Sequence, residues 1–550
     1  MGEQLAAVYR YHDGTKHHFH RFARSLGHLD WASQPRAFRG FADAPMFPLY
    51  PTPGVAADGY ARLRPTLDQA CQLEVRAEPL RAAAIGDVLR HSLGLSAWKQ
   101  FNTSRWALRV NPSSGNLHPT EAYVICGALP GLAGQPSVYH YAADRHALEL
   151  RCTFDEGAWA RACGGRKDVL LVALTSIHWR EAWKYGERAF RYCQHDLGHA
   201  GAAVSIAAGL AGWRTALLPA WSHRDIAAAT GVDRDQDFFE AEREEPGCIM
   251  AMTGSAALEC PQDTVTPLAD AIRHGQWSGR ASQLSEEHVV WSFIDEVARA
   301  TEDPGRSIVR AALPAAHDHD AHREIDARTL ILQRRSAVAF DRRGTIDRAT
   351  FLRMLSRVMP GSNALWNSPW WDPRVHLAIF VHRVDDVPPG LYVLLRDPQA
   401  FDRLRAACRP DFLWESADDA LPLWRLADAD ARGLAARLSC DQDIASDGFF
   451  SLGMVADFDA SLETFGPSFY RHLFWETGMV GHVLYLEAEA AGARATGIGC
   501  FFDDPVHDVL GLREHAFQSL YHFTVGHPVD DGRLTTEPGY AWEQGDPSSP

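Results

Sequence analysis

The 550-residue chain carries 54 Lys and Arg against 70 Asp and Glu, a formal net charge of -16. That balance excludes a general binder of nucleic-acid backbones, which needs a basic surface. Hydrophobic residues at 46% and charged residues at 23% exclude a wholly disordered or collagen-like chain, and the length exceeds what one ordinary core organises, so two domains or one duplicated unit are expected.

Ten cysteines without a C-x-x-C pair fit a reduced compartment. Met1-Gly2-Glu3-Gln4 lacks the basic-then-apolar pattern of a leader, and the most apolar window, Ala200 to Leu218, carries Trp213 and Arg214 and reads as a buried helix. The expected location is cytoplasmic, with no membrane and no nucleic acid as partner.

From the N-terminus, His17, His18 and His20 read as packing or solvated histidines, because no closing ligand stands at zinc spacing. Leu29-Asp30-Trp31 anchors an extended arm, and residues 40 to 65 form irregular chain rich in proline, glycine and aromatics. Leu80 to Leu95 reads as an amphipathic helix with Ile85, Val88, Leu89 and Leu93 on one side. Asn111-Pro112-Ser113-Ser114-Gly115-Asn116-Leu117-His118-Pro119 is a rigid polar loop, rich in hydroxyl and amide groups, that feeds the apolar strand Ala122 to Cys126. Strands follow at Ser137 to Tyr141, Ala147 to Leu150 and Asp168 to Leu174, then a long helical pattern from Ile177 to about Ala211. A short helix near 285 to 300 leads into the polar stretch Thr301 to Ile325, whose His317, His319 and His322 read as exposed linker. The expected divisions are an arm at 1-65, a first domain at 66-280, a helix and linker at 281-325 and a second domain at 326-550.

The chain repeats itself. Residues 190 to 212 overlay 470 to 492 at a constant offset of 280, pairing Gly198 with Gly478, Gly201 with Gly481, Gly212 with Gly492, Arg214 with Arg494, Gly231 with Gly511 and Asp196 with Glu476. Upstream the offset is 253, pairing Tyr139 with Tyr392 and the strand at Val124 with Leu377 to Val381. The change of offset places an insertion within about 400 to 460, and the whole reads as a covalent pseudo-dimer. The second copy adds Arg334-Arg335-Ser336, two guanidiniums and a hydroxyl of the kind that suits a phosphate.

The loop Pro112-Ser113-Ser114-Gly115-Asn116, the Arg334-Arg335-Ser336 stretch and Thr496-Gly497-Ile498-Gly499-Cys500-Phe501 resemble, in combination, the flavin motifs of the FMN-dependent nitroreductase superfamily. Trp183-Lys184-Tyr185-Gly186-Glu187-Arg188 resembles the corresponding segment of its thiazoline/oxazoline dehydrogenases of the SagB/McbC type. The resemblance implies an α+β fold of tandem nitroreductase-like domains forming an intramolecular pseudo-dimer, each a mainly antiparallel sheet flanked by helices. It also implies FMN as cofactor. Arg334, Arg335 and Ser336 would grip its phosphate and ribityl chain, and Pro112, Ser113, Ser114 and Asn116 with Gly497, Ile498, Gly499, Cys500 and Phe501 would line its ring. The second copy puts Trp366-Asn367-Ser368-Pro369 opposite the serine loop, and the first has Leu217-Leu218-Pro219-Ala220 in place of the glycine-rich segment, so one FMN per chain is expected.

Lys184 and Tyr185 are replaced by Thr464 and Phe465 in the other copy, whereas Gly186 and Arg191 persist as Gly466 and Arg471. That asymmetry makes Lys184 the expected base, its pKa lowered by burial or neighbouring charge, with Tyr185 as proton partner. His195 and Asp196 are neighbours on a helix and form no catalytic dyad by spacing. The leading expectation is oxidation of a peptide azoline or related small heterocycle. An NAD(P)H-dependent nitro or quinone reductase and a noncatalytic flavin- or peptide-binding partner of a modification complex stay open, as does the choice between monomer and homo-dimer. A dinucleotide-binding G-x-G-x-x-G is absent from the usual early strand-to-helix context.

Overall fold

A computed structural model describes residues 2–49, 64–255, 262–308, 313, 325–361 and 363–544. The histidines at 317, 319 and 322 and most of the irregular stretch before residue 64 lie outside the described residues. Two sheets carry the fold. The first runs Gln276–Trp277, Ala147–Thr153, Ser137–Ala142, Thr120–Cys126, Val169–Ser176, Glu245–Thr253, Arg214–Leu217, with Met46–Pro48 added on Ala147–Thr153. The second runs Glu415–Ser416, Leu423–Asp428, Gly390–Leu394, Val375–Val381, Phe450–Asp457, Phe517–Gly526, Arg494–Ile498. Neighbouring strands are antiparallel in both, with Val124 opposite Val172 and Tyr139 in one and Leu377 opposite Met454 and Leu394 in the other. This is an α+β fold of two sheet-and-helix regions.

Six strands follow the same order in both regions, Ala147–Thr153 through Arg214–Leu217 in the first and Leu423–Asp428 through Arg494–Ile498 in the second. The edge strands Gln276–Trp277 and Glu415–Ser416 come from different places in the chain, and among the described residues Met46–Pro48 is added only in the first. Ser137 and Gly390 open matching strands at the offset of 253, while Arg214 and Arg494 open matching strands at 280. The extra residues fall between the two strands of the second region's hairpin, which is tight at Ala142 to Ala147 in the first region but spans 395–422 in the second, where it carries the helix Phe401–Ala407. Paired glycines explain why the offset is legible. Gly186 and Gly466, Gly212 and Gly492, and Gly231 and Gly511 all have positive φ, between 55° and 84°, a backbone region that side chains with a Cβ rarely adopt.

Gly186 also corrects the long helix expected from Ile177. The chain forms a helix His178–Tyr185, breaks at Gly186 with φ 55° and resumes as the helix Ala189–Leu210. A side chain at 186 would lie 2.3 Å from the carbonyl oxygen of Arg24, so the break is where the N-terminal arm crosses.

The helices Ala189–Leu210 and Phe469–Ala490 are the axis of the molecule. Every residue of the first is buried and nearly every residue of the second, charged side chains such as Arg191, Asp196, Arg471 and Glu476 included. They pack directly on each other. An ideal Cβ on Gly198 would sit 2.2 Å from the carbonyl oxygen of Trp475, and one on Gly478 2.2 Å from that of His195. Backbone therefore touches backbone at the crossing, and one hydrophobic core, including Val124, Leu197, Leu377 and Leu473, runs through both regions.

Both termini cross over. The helix Gly2–Gly14 reaches the second region, where Tyr9 Oη donates to Asp459 Oδ1 at 2.7 Å and His12 Nε2 meets Gln518 Oε1 at 2.9 Å. Thr535–Pro538 pairs with Leu95–Phe101 in the hairpin closed by Ser104–Arg109, and Tyr540 Oη donates to the carbonyl of Ala143 at 2.6 Å. Among the described residues no helix is long and apolar enough to cross a membrane.

Candidate active site

The serine loop hangs from the fully buried strand Thr120–Cys126. Its shape is set from within: Gly115, Asn116 and His118 have φ of 58°, 59° and 52°, Asn116 Nδ2 donates to the carbonyl of Ala107 at 2.9 Å, and Asn116 Oδ1 meets His118 Nε2 at 2.9 Å. Asp196, from the central helix Ala189–Leu210, takes the rest. It accepts Ser113 Oγ at 2.6 Å, the Ser114 amide at 3.1 Å and Ser114 Oγ at 3.1 Å. The hydroxyls expected to be open to a ligand are thus engaged by a carboxylate. What the loop presents outward is Gly115, which is exposed; a Cβ there would lie 2.6 Å from Tyr185 Oη and 3.1 Å from Lys184 Nζ. The loop and the Lys-Tyr pair are brought together.

Lys184 is exposed, with Nζ 5.3 Å from the Tyr185 ring centre, so the burial expected to tune it is absent. Tyr185 is only partly exposed. Burial, followed by Glu181, Tyr192 and Asp196, pushes its phenol well above its ordinary value, which keeps it a proton donor. Glu181 is fully buried on the same short helix, and neither carboxylate oxygen has a hydrogen-bond partner among the described residues. Burial, then Asp196, raises its pKa well above the ordinary carboxylate value, which favours its neutral form.

Asp196 itself is pushed up from 3.8 to about 7 by burial, against the serine donors that favour its charged form. Between those two values the folded chain holds a proton that the unfolded chain has released. This stabilisation is therefore full below pH 3.8 and is lost as pH rises through about 7. Asp196→Asn should flatten that decline relative to the parent, as read from urea denaturation midpoints at a series of pH values; parallel curves for the two proteins would contradict it.

The second region supplies the opposite wall. Arg334 ends the helix Ala327–Gln333 and is 4% exposed. Its Nη2 donates to the carbonyl of Val110 at 3.1 Å and its guanidinium lies 4.9 Å from the Tyr485 ring centre. Its Nε and Nη1 are buried with no hydrogen-bond partner among the described residues. Arg335, by contrast, spends its donors on the carbonyls of Leu332, Arg334 and Ser96. Ser336 is exposed, pairs with Ala495 in a parallel bridge and donates to Tyr485 Oη at 3.0 Å. Tyr485 Oη also accepts the Gly497 amide at 2.9 Å, which ties the arginine stretch to the strand Arg494–Ile498.

Gly497 and Gly499 are small for reasons visible in the packing. A Cβ on Gly497 would lie 1.8 Å from Tyr521 Oη, and one on Gly499 2.3 Å from Tyr192 Cε1. Ile498 and Phe501 are buried, and Phe501 stacks on His522 at 4.3 Å while the Arg188 guanidinium covers it at 4.9 Å. Tyr521 joins the walls: its ring stacks on His195 at 4.2 Å, and after burial the groups that raise its pKa are Tyr485, Asp196, Tyr192 and Tyr185. The serine loop, Lys184 and Tyr185, Arg334 to Ser336 and Gly497 to Phe501 therefore gather around one tyrosine-lined junction.

Sequence reasoning missed Glu181, Tyr192, Tyr485 and Tyr521, and set Asp196 aside. The comparison that singled out Lys184 and Tyr185 would have found three of them, since at the offset of 280 Glu181 stands opposite Ser461, Tyr192 opposite His472 and Tyr485 opposite Ser205.

The surroundings of Glu476, 280 residues after Asp196, are differently filled. Glu476, counterpart of Asp196, accepts the amides of Arg374 and Val375 and Trp371 Nε1, and pairs with Arg396. His472, counterpart of Tyr192, is packed by Trp370, Trp371 and Trp475 at ring separations of 5.2, 4.9 and 4.3 Å. Ser368 lends its carbonyl to the Leu217 amide at 2.9 Å, so Trp366 to Pro369 works as packing.

A solved protein of Anabaena variabilis described as a nitroreductase superposes over 95% of this chain and 99% of its own, with a TM-score of 0.69 and 19% identity. The chain has the nitroreductase fold. Residues 331–527 match the nitroreductase family, and a Methanocaldococcus jannaschii protein described as a nitroreductase is 24% identical over 159 residues, 28% of this chain and 75% of that protein. A chain of the E. coli microcin synthetase McbBCD complex aligns with 47% of this nitroreductase-fold chain and 95% of its own, at 18% identity and a TM-score of 0.26.

Proposed function

We propose that the protein is an FMN-dependent oxidoreductase with one working site per chain, formed where the two halves of an intramolecular pseudo-dimer meet. The observation that carries the reading is Arg334, a buried cation with Nε and Nη1 left without partners among the described residues. Such a guanidinium fits a phosphate, which can take both N–H groups at once. Arg335, Arg494 and Lys99 add positive field, since the pKa of Lys99 is lowered first by burial and then by Arg335 and Arg494. Arg334 and Ser336 would hold the phosphate end of FMN, with Arg335 adding charge beside them while its own donors stay on backbone carbonyls. Pro112, Ser113, Ser114, Asn116 and Gly497 to Phe501 would line the ring. Bound there, FMN would supply two-electron hydride chemistry that side chains lack.

The reaction favoured is reduction of a nitro or quinone acceptor by NAD(P)H. It asks of the chain only an open mouth and a proton donor; Gly115, Lys184 and Ser336 are exposed, and Tyr185 retains its proton. A second reading, oxidation of a peptide azoline, is favoured by Lys184 Nζ and Tyr185 Oη standing together against Gly115. In that case Lys184 takes the substrate proton and Tyr185 orients it.

The full-length protein, purified and heated, should release FMN in a ratio of about one per chain, and should oxidise NAD(P)H in the presence of a quinone. Lys184→Ala should spare FMN binding and quinone reduction but abolish turnover of an azoline peptide. A chain that takes up no FMN even on supplementation overturns the whole reading. FMN binding with azoline but no quinone turnover reverses the order of the two reactions, and FMN binding with neither leaves a noncatalytic flavin-binding partner.

A further inference from the structure

Cys440 and Cys500 are 60 residues apart in sequence, and their sulfurs lie 2.9 Å apart. Both are partly exposed, unlike most of the described cysteines, which are buried. The chain holds them together on either side of the sulfurs. The Phe502 amide donates to the carbonyl of Leu438 at 2.8 Å, and Gln442 Nε2 donates to the carbonyls of Cys500 at 3.1 Å and Ser439 at 2.8 Å. Cys440 and Asp441 are consecutive non-glycine residues at φ 55° and 56°. Left-handed backbone at such residues costs energy that the surrounding structure must offset, and it concentrates at functional positions. Here the turn delivers the Cys440 thiol to Cys500. A positive charge is at hand as well, because Arg188 is among the groups that favour the thiolate of Cys500.

We propose that Cys440 and Cys500 form a redox-active dithiol that exchanges with small disulfides and closes to an internal disulfide. The Cys500 thiolate attacks one sulfur of an external disulfide, forming a mixed disulfide and expelling one thiolate. The Cys440 thiolate then attacks Cys500 Sγ, forming the Cys440–Cys500 bond and expelling the second. The protein is oxidised by two electrons, the external disulfide is reduced to two thiols, and the two cysteine protons end on those thiols. Cys500 is the attacking thiol: its pKa is lowered first by the hydrogen bond shared with Cys440 and then by Arg188, against burial, while Cys440 is raised by the same hydrogen bond and by burial. The assignment does not depend on FMN, although Cys500 lies in the segment proposed to line the ring.

The test uses the reduced full-length chain, incubated with glutathione disulfide, alkylated with a maleimide and analysed by intact and peptide mass. The parent should lose two alkylation sites, carry no lasting glutathione and yield a Cys440–Cys500 cross-linked peptide. Cys440→Ser should trap glutathione on Cys500, with a lifetime longer on the order of a hundredfold because the internal resolving thiol is gone. Dithiothreitol should reverse both products. Persistent alkylation of both cysteines in the parent, or glutathione retained as stably in the parent as in Cys440→Ser, would overturn the proposal. The parent measurement stands whether or not the variant folds, and whether or not flavin is bound.

Discussion

Arg334→Ala should weaken FMN binding by about 10- to 100-fold, since a hydrogen bond to a charged group contributes about 1.5–3 kcal/mol and each 1.4 kcal/mol is about tenfold in affinity. The expected change has an unusual companion. Nε and Nη1 of Arg334 are buried and unpartnered among the described residues, and burial lowers its pKa. The flavin-free chain therefore bears the desolvation of that cation without full compensation. Removing it should leave the melting temperature of the flavin-free protein unchanged or raised, while FMN stabilises the variant less than the parent. Arg334→Lys should recover only part of the affinity, because an ammonium offers a point charge where a planar fork is needed. Fluorescence titration with FMN and melting curves with and without it provide both readings. Equal affinity in Arg334→Ala and the parent would remove the phosphate assignment, whereas a large loss of flavin-free stability would make Arg334 a structural residue. Arg335→Ala is the contrasting case: its donors are held by the carbonyls of Leu332, Arg334 and Ser96, so its loss should be felt in stability before affinity.

The repeated pattern was legible because it is written in backbone demands. Glycines 280 residues apart recur where φ is positive, and an acid recurs where a central helix caps the incoming loop, at Asp196 in one region and Glu476 in the other. The candidate site residues stood out in the sequence for the same reason: they depart from a repeated pattern. Other features have no local signature. The serines that Asp196 binds are 83 and 82 residues away, so judging Asp196 by its neighbour His195 missed its partners. The pairing of Thr535–Pro538 with Leu95–Phe101 joins the chain's end to its beginning, and no periodicity in either segment names the other. Lys184 was expected to be tuned by burial or neighbouring charge, but it stands exposed with its Nζ over the Tyr185 ring.

Gly478→Leu should be among the most damaging single substitutions in the chain. The ideal Cβ meets the carbonyl oxygen of His195 at 2.2 Å and the amide nitrogen of His199 at 2.8 Å, and both are backbone of a buried helix. Overpacking typically costs about 1–3 kcal/mol where side chains can yield; at this crossing the two helices must separate, so the loss should exceed about 3 kcal/mol. Gly198→Ala tests the same contact from the other side, with its Cβ 2.2 Å from the Trp475 carbonyl oxygen. The repeat treats Gly201 and Gly481 as equivalent to these positions, but the packing does not. Around Gly201 the nearest atoms are Met side-chain atoms at 3.9 and 4.0 Å, so Gly201→Ala should be neutral or stabilise by up to about 1 kcal/mol through helix propensity. Gly481→Ala meets the His199 ring at 2.8 Å, a side chain that can shift, and should fall between. Urea denaturation followed by tryptophan fluorescence and by far-UV circular dichroism would rank the variants. Because one core spans both sheets, the two signals should fall together in Gly198→Ala. If Gly198→Ala and Gly201→Ala proved equally mild, the helices would not be joined through their backbones, and the junction that aligns Arg334 with the serine loop would need another cause.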